Sequence, residues 1–137
     1  MTQIYIAGPL FNIHERWYLE RIAEALESRG YITFLPHRDA GLVDFTVPAM
    51  QSQIFRADIV ALNTCDLCVA LLTGSDQDSG TSAELGYMFA HGKLCFGLTD
   101  DFRFLNNMIW GICGEGTRIA KDIPELLDLL DHATSSD

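Results

Sequence analysis

Apolar residues follow two different patterns along this chain of 137 residues: short continuous runs, and longer segments in which they recur at helical spacing. Segments of the two kinds alternate. Short apolar runs of the length of buried strands predict strands over residues 4–7, 31–35, 67–72 and 94–98. Apolar residues at helical spacing predict helices over residues 14–29, 48–63, 82–91 and from 122 onward. Gly30 and Gly92 follow two of these helices, and Asp122 and Glu125 have the capping-box spacing at the start of the last one.

Strands that alternate with helices indicate a parallel sheet, because parallel neighbours need a crossover connection. We therefore predict a single doubly wound α/β domain of flavodoxin or Rossmann type, with helices on both faces of a mostly parallel sheet of about five strands. The domain is expected to span residues 1–131 and to end in a frayed polar tail over 132–137. Residues 37–45 are expected to form a polar loop, and residues 104–110 an irregular apolar segment.

The charge of the chain narrows the choice of ligand. A net charge of −10, with an isoelectric point near 4.6, argues against binding of nucleic acid polymers or anionic membranes. No apolar run approaches the roughly 20 residues of a membrane-spanning helix, and the first residues lack the pattern of a signal peptide. We expect a cytoplasmic protein, and an uncharged nucleoside remains compatible with its acidity.

The four cysteines are Cys65, Cys68, Cys95 and Cys113. The first two have the C-x-x-C spacing of zinc and redox sites, but no second pair with matching spacing accompanies them. Cys68 and Cys95 also fall within predicted buried strands. We therefore interpret the cysteines as reduced thiols of the core.

Carboxylates gather where the predicted strand 67–72 gives way to a helix. Asp76 and Asp78 lie on the connecting loop, and Glu84 lies at the start of the helix. Ligands of open α/β sheets bind beyond the carboxyl ends of the strands. Carboxylates at that position suggest glycosyl chemistry, in which one group attacks an anomeric carbon and another handles a proton or a hydroxyl.

Each of these residues also has a purely structural interpretation. Thr81 and Glu84 fit a capping box in which Thr81 is the N-cap. Asp76 and Asp78 are common turn residues, and together with Glu84 they could instead hold a cation such as magnesium. Earlier in the chain, Asp58 fits a solvated helix face, and Tyr5 fits core packing.

The lack of other motifs argues against two common kinds of site, a phosphate-binding glycine loop and a serine hydrolase triad. The Gly8-Pro9 turn after the first strand lacks the glycine pattern of a dinucleotide site, and no GKS or GKT follows it. No serine lies in a G-x-S-x-G elbow, which removes that signature of a hydrolase triad.

Three segments resemble the nucleoside 2-deoxyribosyltransferase family. Residues 4–11, with the sequence IYIAGPLF, are similar to the opening of the family, and residues 78–87 are similar to its catalytic motif. Residues 105–109 are similar to its sugar-binding Asn-x-Met segment. The three motifs occur in the family's order and cover most of the chain.

The resemblance implies roles for individual residues. Glu84 matches the nucleophile that attacks C1 of deoxyribose, and Tyr5 matches the tyrosine that orients it. Asp58 and Asp78 match carboxylates that bind the sugar hydroxyl or protonate the departing base. Asn106 matches the residue that holds the sugar 5-hydroxyl from a neighbouring subunit. Further substrate contacts are implied for Gly8 and Met108.

The implied activity is transfer of a 2-deoxyribosyl group between purine or pyrimidine bases, with retention of configuration and ping-pong kinetics. The implied partners are deoxyribonucleosides and free nucleobases, with no cofactor and no metal, in a homo-oligomer built from dimers that can reach a hexamer. A hydrolase of a nucleoside or a nucleoside 5-monophosphate is the first alternative, although Arg16 is the nearest cation to the first loop. A non-catalytic nucleotide-binding module is the second.

Overall fold

The structure is a computed structural model that describes residues 1–74, 76–103 and 105–135. These ranges contain five strands and six helices, which alternate except that α2 and α3 are consecutive. The strands are β1 (Gln3–Ala7), β2 (Ile32–Phe34), β3 (Leu67–Leu71), β4 (Leu94–Leu98) and β5 (Ile119–Ala120). The helices are α1 (Ile13–Ser28), α2 (Pro36–Asp39), α3 (Pro48–Thr64), α4 (Ser79–Ala90), α5 (Asn107–Ile112) and α6 (Ile123–Thr134).

The sheet has the strand order β2-β1-β3-β4-β5, and all four pairings are parallel. This confirms the predicted doubly wound α/β fold. The chain order of the strands reverses between β1 and β3, which is where open sheets of this kind leave a crevice for ligands.

Alternate residues of β1 enter two separate cores. Ile4 and Ile6 pack with α1 and α6 on one face of the sheet. Tyr5 and Ala7 pack with α3, α4 and α5 on the other face. Because successive side chains of a strand point to opposite faces, a strand buried on both faces reads as a continuous apolar run.

Several local expectations were wrong. Helix α4 begins at Ser79 rather than 82, because the Asp78 carboxylate caps it by accepting from the Thr81 N–H at 2.9 Å. Part of the expected loop forms α2, and part of the expected irregular segment forms α5, while residue 104 lies outside the described residues. Helix α6 continues to Thr134, so residues 132–134 are not a frayed tail, and residues 136 and 137 lie outside the described ranges.

Other local expectations are confirmed. The Asp122 carboxylate caps α6 by accepting from the Glu125 N–H at 2.9 Å. All four cysteines are free and buried, and burial raises the pKa of Cys65 and Cys95 to about 11 and that of Cys113 to about 12. Such thiols stay protonated near neutral pH and act as small apolar core residues. None of the helices in the described ranges combines the length and the apolar character that a bilayer crossing requires.

Lys93, which directly precedes β4, forms hydrogen bonds with the C-terminal end of α3. Its ammonium donates to the backbone carbonyls of Leu62, Asn63 and Cys65 at 2.7, 2.8 and 2.7 Å. The last carbonyls of a helix have no partner within the helix, and a cation at this end also interacts favourably with the helix dipole. Lys93 therefore fixes the position of α3 relative to the sheet.

We expect Lys93→Met to lower the free energy of unfolding by about 2 kcal/mol or more, because half-buried carbonyls lose a charged donor. Urea denaturation followed by circular dichroism measures the change. The exposed Lys121→Met is the matched control and should stay within about 0.5 kcal/mol of the unmodified protein. Equal stability of the two variants would contradict the proposed role of Lys93.

Candidate active site

A cleft of about 720 Å³ opens at the carboxyl end of β1, between α3 and α4. The β1–α1 turn, the start of α2, one face of α3 and the first turns of α4 line it. The lining residues are Gly8, Leu10, Phe11, Pro36, Phe55, Asp58, Ile59, Leu62, Asp78, Ser79, Gly80, Ala83, Glu84 and Tyr87. The cleft thus lies at the edge of the sheet where the sequence predicts a ligand.

The deepest polar contact of the cleft joins β1 to α4. Tyr5 is fully buried, and its hydroxyl donates a hydrogen bond to Glu84 Oε2. Glu84 lies in the second turn of α4, and Asp78, not Thr81, is the N-cap of this helix. The interpretation of Thr81 and Glu84 as a capping box is therefore wrong, and the Glu84 carboxylate faces the cleft.

Burial raises the pKa of Glu84 to about 7. Within this net value, the hydrogen bond from Tyr5 favours the charged form and lowers the pKa, whereas the nearby charges of Asp58 and Asp78 act in the same direction as burial. Glu84 therefore exchanges its proton close to neutral pH.

Asp58 brings a second perturbed carboxyl group to the same cleft. It is half-buried on α3, and burial raises its pKa to about 6. Its Oδ1 atom is buried without a hydrogen-bond partner. These properties contradict the interpretation as a solvated helix face. A carboxyl oxygen that lacks a protein partner is free to exchange a hydrogen bond or a proton with a ligand in the cleft.

Asp78 has a structural role and also faces the cleft. Its Oδ2 atom accepts from the Thr81 N–H and from the Thr81 hydroxyl, each at 2.9 Å. Thr81 is itself fully buried, so the carboxylate is held firmly at the helix N-terminus. By contrast, Asp76 is exposed and lines a different recess, so the structure does not bring it to the other carboxylates.

Asn106 and Met108 lie outside the cleft of their own chain. They line a recess of about 350 Å³ between α4 and α5, together with Asp76 and Gln77. The Asn106 side chain caps α5 by accepting from the Met108 N–H at 2.8 Å, and the Asn106 N–H donates to Gln77 Oε1 at 3.0 Å. Within one chain, the structure therefore separates these two predicted substrate residues from Glu84.

Gly8 lines the cleft where the chain leaves β1. A Cβ atom at this position would lie 2.7 Å from Leu19 Cδ2 and 3.1 Å from Leu71 Cβ, so a larger residue would displace core side chains. The small size of Gly8 keeps the turn close to the sheet, and it lets the turn form the edge of the cleft.

The sequence reasoning missed the apolar wall of the cleft. Phe55, Ile59 and Leu62 lie on the same face of α3 as Asp58, and Tyr87 faces them from α4. The positions 55, 58, 59 and 62 have the spacing of residues that share one helical face. That spacing, centred on Asp58, is the signal that could have located the wall.

The wall and the carboxylates have no cationic neighbour in the lining of the cleft, where the described residues include no Lys, Arg or His. Within the part of the chain that the structure describes, no three His, Cys, Asp or Glu side chains are arranged to hold a metal ion. The residues of the cleft thus present three carboxyl groups, Asp58, Asp78 and Glu84, beside an apolar surface.

The strand order, with a cleft where that order reverses, is that of a doubly wound α/β protein. Residues 4–122, which include Tyr5, Asp58 and Glu84, match the family model for nucleoside 2-deoxyribosyltransferases. The chain belongs to the nucleoside 2-deoxyribosyltransferase family, which confirms the resemblance of its three motifs.

One relative is named as a hydrolase and not as a transferase. It is a protein of Thermofilum pendens, provisionally named 2'-deoxynucleoside 5'-phosphate N-hydrolase 1, which is 26% identical over 134 residues. The match covers 94% of this chain and 92% of the relative.

Solved structures share the fold. A conserved protein of Enterococcus faecalis has a TM-score of 0.84 and 26% identity, with coverage of 97% of this chain and 99% of that one. A 2-deoxyribosyltransferase of Bacillus psychrosaccharolyticus has a TM-score of 0.78 and 20% identity, with coverage of 91% and 90%. A CMP N-glycosidase of Clostridium botulinum has a TM-score of 0.64 and 22% identity, with coverage of 95% and 99%.

We expect the buried charge of Glu84 to cost stability at alkaline pH. Its pKa is higher in the folded protein, at about 7, than the usual value of 4.5, so the folded state binds more protons and stability falls as pH rises through this interval. Glu84→Gln should therefore be more stable than the unmodified protein at pH 8, by about 1 kcal/mol or more, and about equal to it at pH 4. Urea denaturation at both pH values measures this difference.

The exposed Asp128→Asn on α6 is the control for the loss of one negative charge. A Glu84→Gln variant that is no more stable than Asp128→Asn at pH 8 would contradict the raised pKa.

Proposed function

We propose that the protein transfers the 2-deoxyribosyl group between nucleobases, with Glu84 as the nucleophile and Asp58 as the acid and base. The observation that carries the proposal is the pair of perturbed carboxyl groups in one cleft, one of them held by Tyr5. A pair of carboxyl groups that share one cleft is typical of enzymes that cleave glycosidic bonds.

The proposed reaction has two displacements. In the first, Glu84 Oε attacks C1 of the sugar, the C1–N bond breaks, and its electron pair leaves with the base, which takes a proton from Asp58. In the second, a nitrogen of another base attacks C1, the C1–Oε bond breaks, and Asp58 takes the proton of the incoming base. Two inversions retain the configuration at C1, and the enzyme returns to its initial state.

The walls of the cleft fit the two parts of the substrate. The base is flat and aromatic, and Phe55, Ile59 and Leu62 offer it an apolar surface on α3. The sugar would then lie towards Asp78 and Glu84, where its hydroxyl can donate to a carboxylate. An oxocarbenium-like transition state gains from these negative charges, because the cleft is less polar than water.

We further propose that Asn106 and Met108 contribute to the active site of a neighbouring copy. The recess of these residues is separate from the cleft of their own chain, as a shared site requires. The Asn106 amide would then reach the sugar 5-hydroxyl of a substrate bound to the other copy.

Hydrolysis is the second candidate function. It is supported by the Thermofilum pendens relative, whose name gives a 5'-phosphate N-hydrolase. The first displacement would be the same, and water would replace the second base. A module that only binds nucleotides is the least favoured alternative, because it gives no reason for the hydrogen bond between Tyr5 and Glu84.

The direct test is incubation of the purified protein with thymidine or deoxyinosine and free adenine, followed by chromatography. We expect deoxyadenosine to form, and Glu84→Gln to lower kcat by about 10³-fold or more, since the nucleophile is lost. Intact-protein mass spectrometry without an acceptor base should show a deoxyribosyl adduct that the variant lacks. Free deoxyribose in place of deoxyadenosine would favour the hydrolase, and neither product from several donors would contradict both enzymes.

The cleft also predicts a preference for nucleosides over their 5-monophosphates. Three carboxylates line it, and no cation from the described residues stands among them. A phosphate would be repelled, so we expect kcat/KM to be at least about tenfold lower for a deoxynucleoside 5-monophosphate than for the nucleoside. Equal values would contradict this prediction.

Phe11→Arg offers a gain-of-function test of the same prediction. Phe11 lines the cleft and is 75% exposed, so an arginine fits there and can pair with a phosphate. We expect the ratio of kcat/KM for the monophosphate over the nucleoside to rise about tenfold. Phe89→Arg is the matched control, because Phe89 is 56% exposed on α4 but lies outside the lining of the cleft.

A further inference from the structure

A row of side chains crosses the sheet below Glu84. In the parallel pairing, Tyr5 of β1 lies opposite Phe34 of β2 on one side and opposite Cys68 of β3 on the other. Register partners on neighbouring strands point to the same face of a sheet. All three side chains therefore belong to the core beneath α3 and α4.

The ring of Phe34 stacks on the ring of Tyr5. The two centroids lie 5.5 Å apart, and the planes differ by 20°. On the opposite side, Cys68 is small and fully buried. The tyrosine ring is thus supported over one face by an aromatic ring that is itself only half-buried at the end of an edge strand.

The direction of the Tyr5 hydroxyl decides whether Glu84 keeps its hydrogen bond. The Tyr5 hydroxyl donates to Glu84, and this bond opposes the effect of burial on the carboxylate. A tilt of the whole ring would displace its hydroxyl from the Glu84 carboxylate and weaken the bond, because a hydrogen bond depends on the distance and angle between its partners. Whatever fixes the ring therefore also acts on Glu84.

We propose that Phe34 is a positioning residue of the active site, which holds the ring of Tyr5 so that its hydroxyl stays directed at Glu84. This inference rests on the function proposed above for Glu84. Phe34 lies outside the lining of the cleft and has no contact with the substrate in this scheme. Its effect passes through Tyr5 only.

Four titratable groups face Glu84, and a change in any of them could change its pKa. They are Tyr5 from β1, Asp58 from α3, Asp78 at the N-terminus of α4 and Cys68 from β3. Replacement of Phe34 changes no charge among them. Entry of water would reduce the effect of burial and lower the pKa of Glu84, so an upward shift in a Phe34 variant would indicate that the Tyr5 hydrogen bond is weakened.

The test is Phe34→Leu, which keeps an apolar side chain but removes the ring. NMR with ¹³C-labelled glutamate follows the titration of the Glu84 carboxyl, and Glu84→Gln identifies its signal. We expect the midpoint to move upward by about half a pH unit, in the same direction as in Tyr5→Phe. The acidic limb of kcat/KM should move to higher pH by the same amount.

Three further variants separate positioning from general packing. Phe34→Tyr keeps the ring and should leave the midpoint unchanged. Leu127→Ala removes a half-buried side chain of the opposite core, and it should lower stability without moving the midpoint. In the Tyr5→Phe background, Phe34→Leu should add no further shift, because the hydroxyl through which Phe34 acts is already gone.

An unchanged midpoint in Phe34→Leu, or a full additional shift in the Tyr5→Phe background, would overturn the proposal. The NMR titration requires no turnover. A protein that exchanges no bases and releases no sugar would therefore contradict the proposed function, while the role of Phe34 would still be decided by the midpoints.

Discussion

The hydrogen bond from Tyr5 to Glu84 holds a carboxylate where burial opposes its charge. Burial and two neighbouring carboxyl groups favour the neutral form, and the phenol favours the anion. Their balance places the pKa of Glu84 near neutral pH, where a nucleophile can be charged and yet only weakly solvated. Without the phenol, the pKa of the same carboxyl would be higher. With full exposure, water would stabilise the charge and lower its reactivity.

The fold supplies both partners of this bond from elements distant in sequence. β1 is an inner strand of the sheet, so Tyr5 is buried and its ring has little freedom. α4 follows β3, the neighbour of β1, and the Asp78 cap sets where this helix begins. The start of α4 fixes which of its residues stands above Tyr5, and that residue is Glu84. Lys93 fastens α3 on the opposite side of the cleft, so Asp58 is held by the same framework.

Much of this could be predicted from the sequence, and the failures have physical causes. The apolar runs of β1, β3 and β4 and the long helices were found, because burial on both faces leaves a strong pattern. β5 was not located, because two residues make no recognisable run. Thr81 was mistaken for the cap of α4, because Asp78, three residues earlier, offers the same chemistry. The resemblance to the family implied roles for Tyr5, Asp58 and Glu84. Phe34 was identified only from the strand register, which places it beside Tyr5.

The shared fold does not decide between transfer and hydrolysis. Structures that match this chain bear the names of a 2-deoxyribosyltransferase and a CMP N-glycosidase, so one sheet supports both outcomes. A glycosyl-enzyme partitions according to which acceptor reaches C1 first. An apolar wall such as that of Phe55, Ile59 and Leu62 holds a flat base and disfavours ordered water, whereas polar groups at the same positions would hold water. Under the proposed mechanism, the choice of acceptor would therefore be set by side chains on one face of α3, and not by the carboxyl groups that take part in breaking the first bond.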